Sequence, residues 1–176
     1  AKAWGEVALM AYLAHNLPQG MEPGLEATSF YDPVNFTFPF GAHIAVVEVD
    51  PDTGAVKILK YVAVDDVGKV INPMIVDGMV HGAIAHQVGA ALFERIRYDA
   101  SGQLTTATFK DYLTPTAADL PFYEIHHLET PSLFSALGAK GGGEGAGTPL
   151  VATLNAVADA LAPFGATLIE GHITPD

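Results

Sequence analysis

Apolar side chains recur at Trp4, Val7, Ala8, Ala11 and Leu13, the step of one helix face, so Lys2 to about Asn16 reads as a helix that Pro18 and Gly20 end. The periodicity then stops. Met21 to Pro39 is proline-rich and polar, the composition of a loop crossing a surface, with Phe30, Tyr31, Phe36, Phe38 and Phe40 as apolar anchors. A β-branched run, Ile44, Val46, Val47 and Val49, marks a strand from His43 to Asp50. Pro51-Asp52-Thr53-Gly54 supplies a turn and Val56 to Val64 a second strand, which together make a hairpin. Asp65-Asp66-Val67-Gly68-Lys69 and Asn72-Pro73 read as turns, with the aspartates as structural caps. From about Ile75 to Phe93 the spacing is helical again, and Gly78, Gly82 and Gly89 let that helix lie close to another backbone or to a ligand. Two further strands are predicted at Leu104 to Phe109 and Tyr123 to Leu128, with Pro115 and Pro121 in the loop between them. The last apolar series, Leu150, Val151, Leu154, Val157, Ala158 and Leu161, is a helix with Thr148 as N-cap and Pro149 at its first position. These elements predict an α+β fold, a mixed sheet with packed helices.

Composition narrows the picture. A chain of 176 residues, 49% hydrophobic, is long enough for one well-buried domain or two small halves sharing a core. Eight basic against twenty acidic residues give a formal net charge of -12, which argues against a nucleic-acid partner, since that affinity comes from basic patches. With no cysteine, the chain can hold neither a disulfide nor a cysteine-ligated iron–sulfur cluster. Its mean hydropathy of +0.28 is positive. The apolar runs nevertheless break well short of the ~18 residues a membrane span requires. Ala1-Lys2-Ala3-Trp4 opens directly into the first helical pattern, as expected of a piece of something longer.

The chemistry concentrates in Gly138-Ala139-Lys140-Gly141-Gly142-Gly143-Glu144-Gly145-Ala146-Gly147, one carboxylate in a backbone almost without side chains. Such a run forgoes packing and costs extra ordering entropy, so it suits a backbone that must bend or lie against a ligand. A nucleotide-phosphate loop is excluded, because the Walker pattern needs Gly-Lys followed by Ser or Thr, whereas Lys140 precedes Gly141. Gly141, Gly143 and Ala146 fit a relaxed dinucleotide pattern, but the helical cap falls too late for it and no regular βαβ unit surrounds it. Two readings stay open: a structural turn, and an active-site loop presenting Glu144 as a general base. The seven histidines do not form a metal site. His126 and His127 face opposite sides of a strand, His81 and His86 are five apart, and there is no His-Glu-x-x-His. His86 and Gln87 sit among small helix residues where polar groups can reach a ligand, or simply face solvent. No serine or cysteine lies in a nucleophile elbow.

Several blocks follow one another in a specific order. They are Phe38-Pro39-Phe40-Gly41-Ala42-His43, Asp50-Pro51-Asp52-Thr53-Gly54, and Asp65-Asp66-Val67-Gly68-Lys69-Val70-Ile71-Asn72-Pro73. Then come Gly78-Met79-Val80-His81-Gly82-Ala83-Ile84-Ala85, Gly138 to Glu144, and Asn155-Ala156-Val157-Ala158-Asp159-Ala160-Leu161. In that order, from about residue 20 to the end, the chain resembles the carboxy-terminal part of the molybdopterin-binding large subunit of the xanthine dehydrogenase, aldehyde oxidase and aerobic carbon monoxide dehydrogenase family. The resemblance implies a portion of a molybdopterin-binding domain over 1–176. Within it, 1–40 is a helix and proline-rich connection, 41–135 strands and the glycine-spaced helix, and 136–176 an active-site loop and terminal helix.

It further implies a molybdenum-dependent oxidoreductase, inactive as this chain alone, that hydroxylates an aldehyde, an N-heterocycle or a related small molecule with oxygen from water, or oxidises carbon monoxide. Glu144 is then the catalytic base. Gly141, Gly142, Gly143, Gly82, His86 and Gln87 are cofactor contacts, and no residue is a direct metal ligand. The implied cofactor is molybdopterin, in bacteria commonly its cytosine dinucleotide, with molybdenum, shared with an upstream half of the subunit. Iron–sulfur clusters and FAD would sit on other subunits, in a cytoplasmic or periplasmic complex. Two positions depart from the family pattern: Met79 stands where many members carry a glutamine that hydrogen-bonds the pterin, and His86-Gln87 where glutamine and glycine are common. A non-catalytic assembly module that binds partner subunits is the alternative from another class.

Overall fold

The structure, a computed structural model, describes residues 1–143, 148–168 and 171–175. It divides into two compact units, Ala1–Pro33 and Val34–Asp176. In the first, helix α1 spans Trp4–Leu13; the Ala3 N–H is held by the Glu6 carboxylate at 2.9 Å. The helix ends before the expected Pro18–Gly20 stop, because Ala14 turns left-handed (φ 57) and returns its N–H to the Met10 carbonyl.

The second unit is built on a three-stranded sheet in the order β1-β2-β3. Strands β1 (Phe40–Val49) and β2 (Val56–Asp66) form the expected antiparallel hairpin, and β3 (Tyr123–Leu128) pairs parallel with β2. The sheet is therefore mixed, as the sequence pattern predicts. Asp50 shapes the hairpin turn, its carboxylate accepting the Asp52 and Thr53 N–H groups, and Gly54 supplies the positive φ of +71. Between the parallel strands runs α2 (Pro73–Leu92); the Asn72 side chain caps it by accepting the Ile75 N–H, with Pro73 at the first position. The third helix, α3 (Thr148–Leu161), follows the glycine run. Its described part begins at Thr148 itself, and Gly147 lies outside the described residues.

Strand register explains the core. His43, Ala45 and Val47 stand opposite Ala63, Tyr61 and Ile58, and Tyr61 and Ala63 stand opposite Tyr123 and Ile125, all on one sheet face. Against that face α2 sets Val80, Ile84 and Val88, and Ala152 of α3 joins the same cluster. Each such aliphatic side chain fully buried contributes roughly 1.5–3 kcal/mol, so the register and the helix face hold one another in place. No helix among the described residues is long and apolar enough to cross a membrane.

Two expectations are corrected. Leu104 to Phe109 forms no strand; only Leu104 makes an isolated bridge, to Tyr98. The ladder stops at two backbone bonds, Thr105 N–H to the Arg97 carbonyl and Asp99 N–H to the Gln103 carbonyl. Side chains take other groups, Asp99 accepting from the Ser101 and Gln103 N–H groups and the Thr106 hydroxyl from the Arg97 N–H, and the Thr108 carbonyl then starts a turn toward Asp111 and Tyr112. Asp65 and Asp66 are not turn residues but the last pair of β2. The turn comes at Gly68, whose φ of +68 only glycine adopts without strain.

Candidate active site

A cavity of about 260 Å³ opens where the sheet ends. Phe40, Gly41 and His43 of β1, Asp65 and Asp66 of β2, Val80 and Ala83 of α2, and Gly141, Gly142 and Thr148 line it. The glycine run reaches this place through a short antiparallel contact with the β2–α2 turn: Lys69 N–H donates to the Gly138 carbonyl at 2.9 Å and Lys140 N–H to the Val67 carbonyl at 2.7 Å. Gly141 N–H then donates to the Thr37 hydroxyl. Met79 of α2 packs against Gly142 from outside the lining, its terminal methyl 2.9 Å from where a Cβ on that glycine would lie.

One polar chain forms the β1 side of the cavity. Nδ1 of His43 lies 3.1 Å from the Tyr61 hydroxyl, and Nε2 lies 3.2 Å from both oxygens of Asp65. With Tyr61 O–H donating to Nδ1 and Nε2–H donating to the carboxylate, all three groups are satisfied. The His43 side chain is 1% exposed and that of Asp65 10%. Burial first, and then the Asp65 carboxylate, push the Tyr61 hydroxyl well above its ordinary pKa, so it stays a neutral donor. Gly41 is required here, since a Cβ on it would collide with the Asp65 carboxylate.

The neighbouring carboxylate is saturated. Asp66 accepts the Gly68 N–H and the Lys140 ammonium on Oδ1, and the Thr130 N–H and hydroxyl on Oδ2. Burial acts to raise its pKa, but the hydrogen bonds from the Thr130 hydroxyl, Gly68 and Lys140 outweigh it and hold Asp66 below the ordinary carboxylate value. A group depressed in this way contributes stability that is complete above its unfolded pKa and disappears as the pH falls through its folded one. Asp66→Asn should therefore be less stable than wild type at neutral pH and lose less on acidification below about pH 5. Thermal unfolding midpoints across that range check it; parallel curves for the two proteins would contradict the assignment.

Of the residues picked out by sequence, Gly141 and Gly142 enter the cavity wall, and Gly143 follows them into open space. Glu144 lies outside the described residues. Gly82 opens instead on a second groove, with His81, Ala85 and Tyr123. His86 is exposed on α2 and Gln87 half-buried, and neither lines the cavity. His126 and His127 do face opposite ways, to the exposed Glu124 and to Asp77 of α2. Sequence reasoning passed over His43, Asp65, Lys140 and Thr130 as site residues. A lone cation next to a glycine run was the available signal for Lys140.

Comparison with known proteins gives this site its context. The model of the molybdopterin cofactor-binding domain matches residues 1–121. The nicotine 6-hydroxylase large subunit of Paenarthrobacter nicotinovorans is 46% identical over 173 residues, 97% of this chain and 21% of that subunit. The carbon monoxide dehydrogenase large chain of Afipia carboxidovorans is 42% identical over 172 residues, 98% of this chain and 21% of that one. Among solved structures, quinoline 2-oxidoreductase from Pseudomonas putida 86 superposes with a TM-score of 0.79 at 43% identity, covering 96% of this chain and 21% of that one. The α+β fold is thus that of molybdenum hydroxylase large subunits. This chain belongs to the molybdopterin cofactor-binding domain family, within the group of xanthine dehydrogenases, aldehyde oxidases and carbon monoxide dehydrogenases. It spans about a fifth of the length of the curated relatives it matches.

The donor set fits such a cofactor. Gly41, Gly141 and Gly142 leave backbone rather than side chains at the cavity wall. Met79, beside Gly142, offers no N–H to a ring nitrogen or carbonyl, because its side chain is a thioether.

Proposed function

We propose that this chain is a component of a molybdenum-dependent oxidoreductase. It would insert water-derived oxygen into an aldehyde, an N-heterocycle or a similar small molecule, or oxidise carbon monoxide, with Glu144 as general base. One observation carries the reading: the backbone of Gly141 and Gly142, just ahead of Glu144 in sequence, meets α2 and the sheet end in a single cavity. Thr148, on the other side of Glu144 in sequence, lines the same cavity.

In this reading Gly141, Gly142 and Gly143 allow close backbone approach to the cofactor, and Gly82 of α2 would do so from the separate groove it opens on. His86 and Gln87, about two helical turns from Met79 and off this cavity, would offer donors to a more distant part of the cofactor. Glu144 accepts a proton as the oxygen nucleophile attacks. Molybdopterin, in its cytosine dinucleotide form, would supply the two-electron acceptor when bound. The remainder of the subunit completes the site, and iron–sulfur and flavin subunits of a cytoplasmic complex carry the electrons away.

Co-expression of this chain with the rest of its subunit and the iron–sulfur and flavin subunits should give a complex holding about one molybdenum and one pterin per large subunit, measured by metal analysis and by fluorescence of the released pterin. A stable complex devoid of both would replace this reading with that of a non-catalytic assembly module.

A further inference from the structure

We infer that Lys140 is a positioning residue: its buried ammonium clamps the glycine run to the end of the sheet and thereby fixes Gly141 and Gly142 in the cavity wall. The inference rests on the catalytic reading of that cavity.

Three glycines in a row have no side chain with which to fix their own place. The position of the run must be set by its flanks, and Lys140 is the last side chain before it. That side chain is anchored on three sides. Its Nζ lies 3.1 Å from Asp66 Oδ1 and 2.6 Å from the Thr130 hydroxyl, and it sits 5.1 Å from the centre of the Phe40 ring, within cation–π range. Its own N–H donates to the Val67 carbonyl at 2.7 Å. Asp66 and Phe40 both border the cavity, so the ammonium stands behind the wall it steadies. The ion pair is buried, with side chains 9% and 0% exposed.

Asp66 has no capacity left for a ligand or for base catalysis. Its four hydrogen bonds fill the lone pairs of both oxygens, and one of them goes to Lys140. A buried ion pair is a poor device for stability alone, because well-packed apolar residues of the same volume often do as well or better. What it supplies is a fixed location, through directional contacts on Asp66 and Thr130 at once. Location matters at a reacting centre, where a displacement of about 1 Å can cost on the order of 100-fold in rate.

The test uses the complete molybdenum enzyme. Lys140→Met leaves a buried carboxylate without its cation and can fail to fold, so the decisive variant is Lys140→Met combined with Asp66→Asn, which removes both charges. With molybdenum and pterin content at wild-type level, turnover per molybdenum should fall about 10-fold or more while KM changes little. Amide exchange in the peptide covering Gly141 to Gly143 should rise about 10-fold or more, with exchange in β2 and α2 unchanged. Lys140→Arg, which keeps the charge, should recover part of both. Wild-type turnover and local exchange in the double variant would overturn the inference, whatever its melting temperature. Glu144→Gln run alongside keeps the two ideas apart: full activity there removes the base assignment, while the exchange measurement still decides the role of Lys140.

Discussion

Glu144→Gln in the complete enzyme should lower turnover by roughly two to four orders of magnitude, the range for loss of a positioned general base, with molybdenum content unchanged. Glutamine keeps the shape of the side chain and its hydrogen-bonding reach but cannot accept a proton at neutral pH. Gly142, two residues before Glu144, and Thr148, four residues after it, both line the same cavity, which motivates the assignment. Steady-state kinetics normalised to molybdenum content provide the check. Turnover within about twofold of wild type would remove Glu144 from the reaction, since no positioned base is worth so little.

Gly68→Ala should be the most damaging small substitution in the described framework. At φ +68 an alanine costs roughly 1–2 kcal/mol, and its Cβ would collide with the Gly138 carbonyl and press on Lys140 Cγ at 2.9 Å and Lys140 N at 3.0 Å. That carbonyl cannot move freely, because it accepts from both Lys69 and Ser132. Relief requires separating the glycine run from the β2–α2 turn. A loss of roughly 3 kcal/mol is expected, which for a domain of this size lowers the unfolding midpoint by about 6–12 °C. Differential scanning fluorimetry measures it; a shift below about 2 °C would mean the two segments are not held together as described.

The local elements were readable because their causes are local. The hairpin follows from β-branched strands about a Pro-Asp-Thr-Gly turn, and α2 from an Asn-Pro start and an apolar face three and four residues apart. Leu104 to Phe109 misled because threonines favour strands by propensity yet here spend their hydroxyls on the Arg97 backbone and on Asp111. The ends of the glycine run were legible from composition, but what holds the run was not. Lys140 meets Asp66 across 74 residues and Thr130 meets Asp66 across 64, and such pairings leave no periodic trace. The family pattern pointed to the glycine run, whereas the His43–Asp65 chain and the contacts of Lys140 needed the fold.

These separations also set an order of assembly. The hairpin closes through a turn of a few residues, but β3 reaches β2 only after more than fifty residues of chain have been folded back, and Lys140 reaches Asp66 later still. Closing long loops costs entropy before any contact rewards it. The ammonium and the Asp66 carboxylate are therefore expected to give up their water last, onto a sheet and helix already in place. A chain stalled before that step would have nearly all of its secondary structure and no cavity, so far-ultraviolet circular dichroism would report it as native while the site did not yet exist.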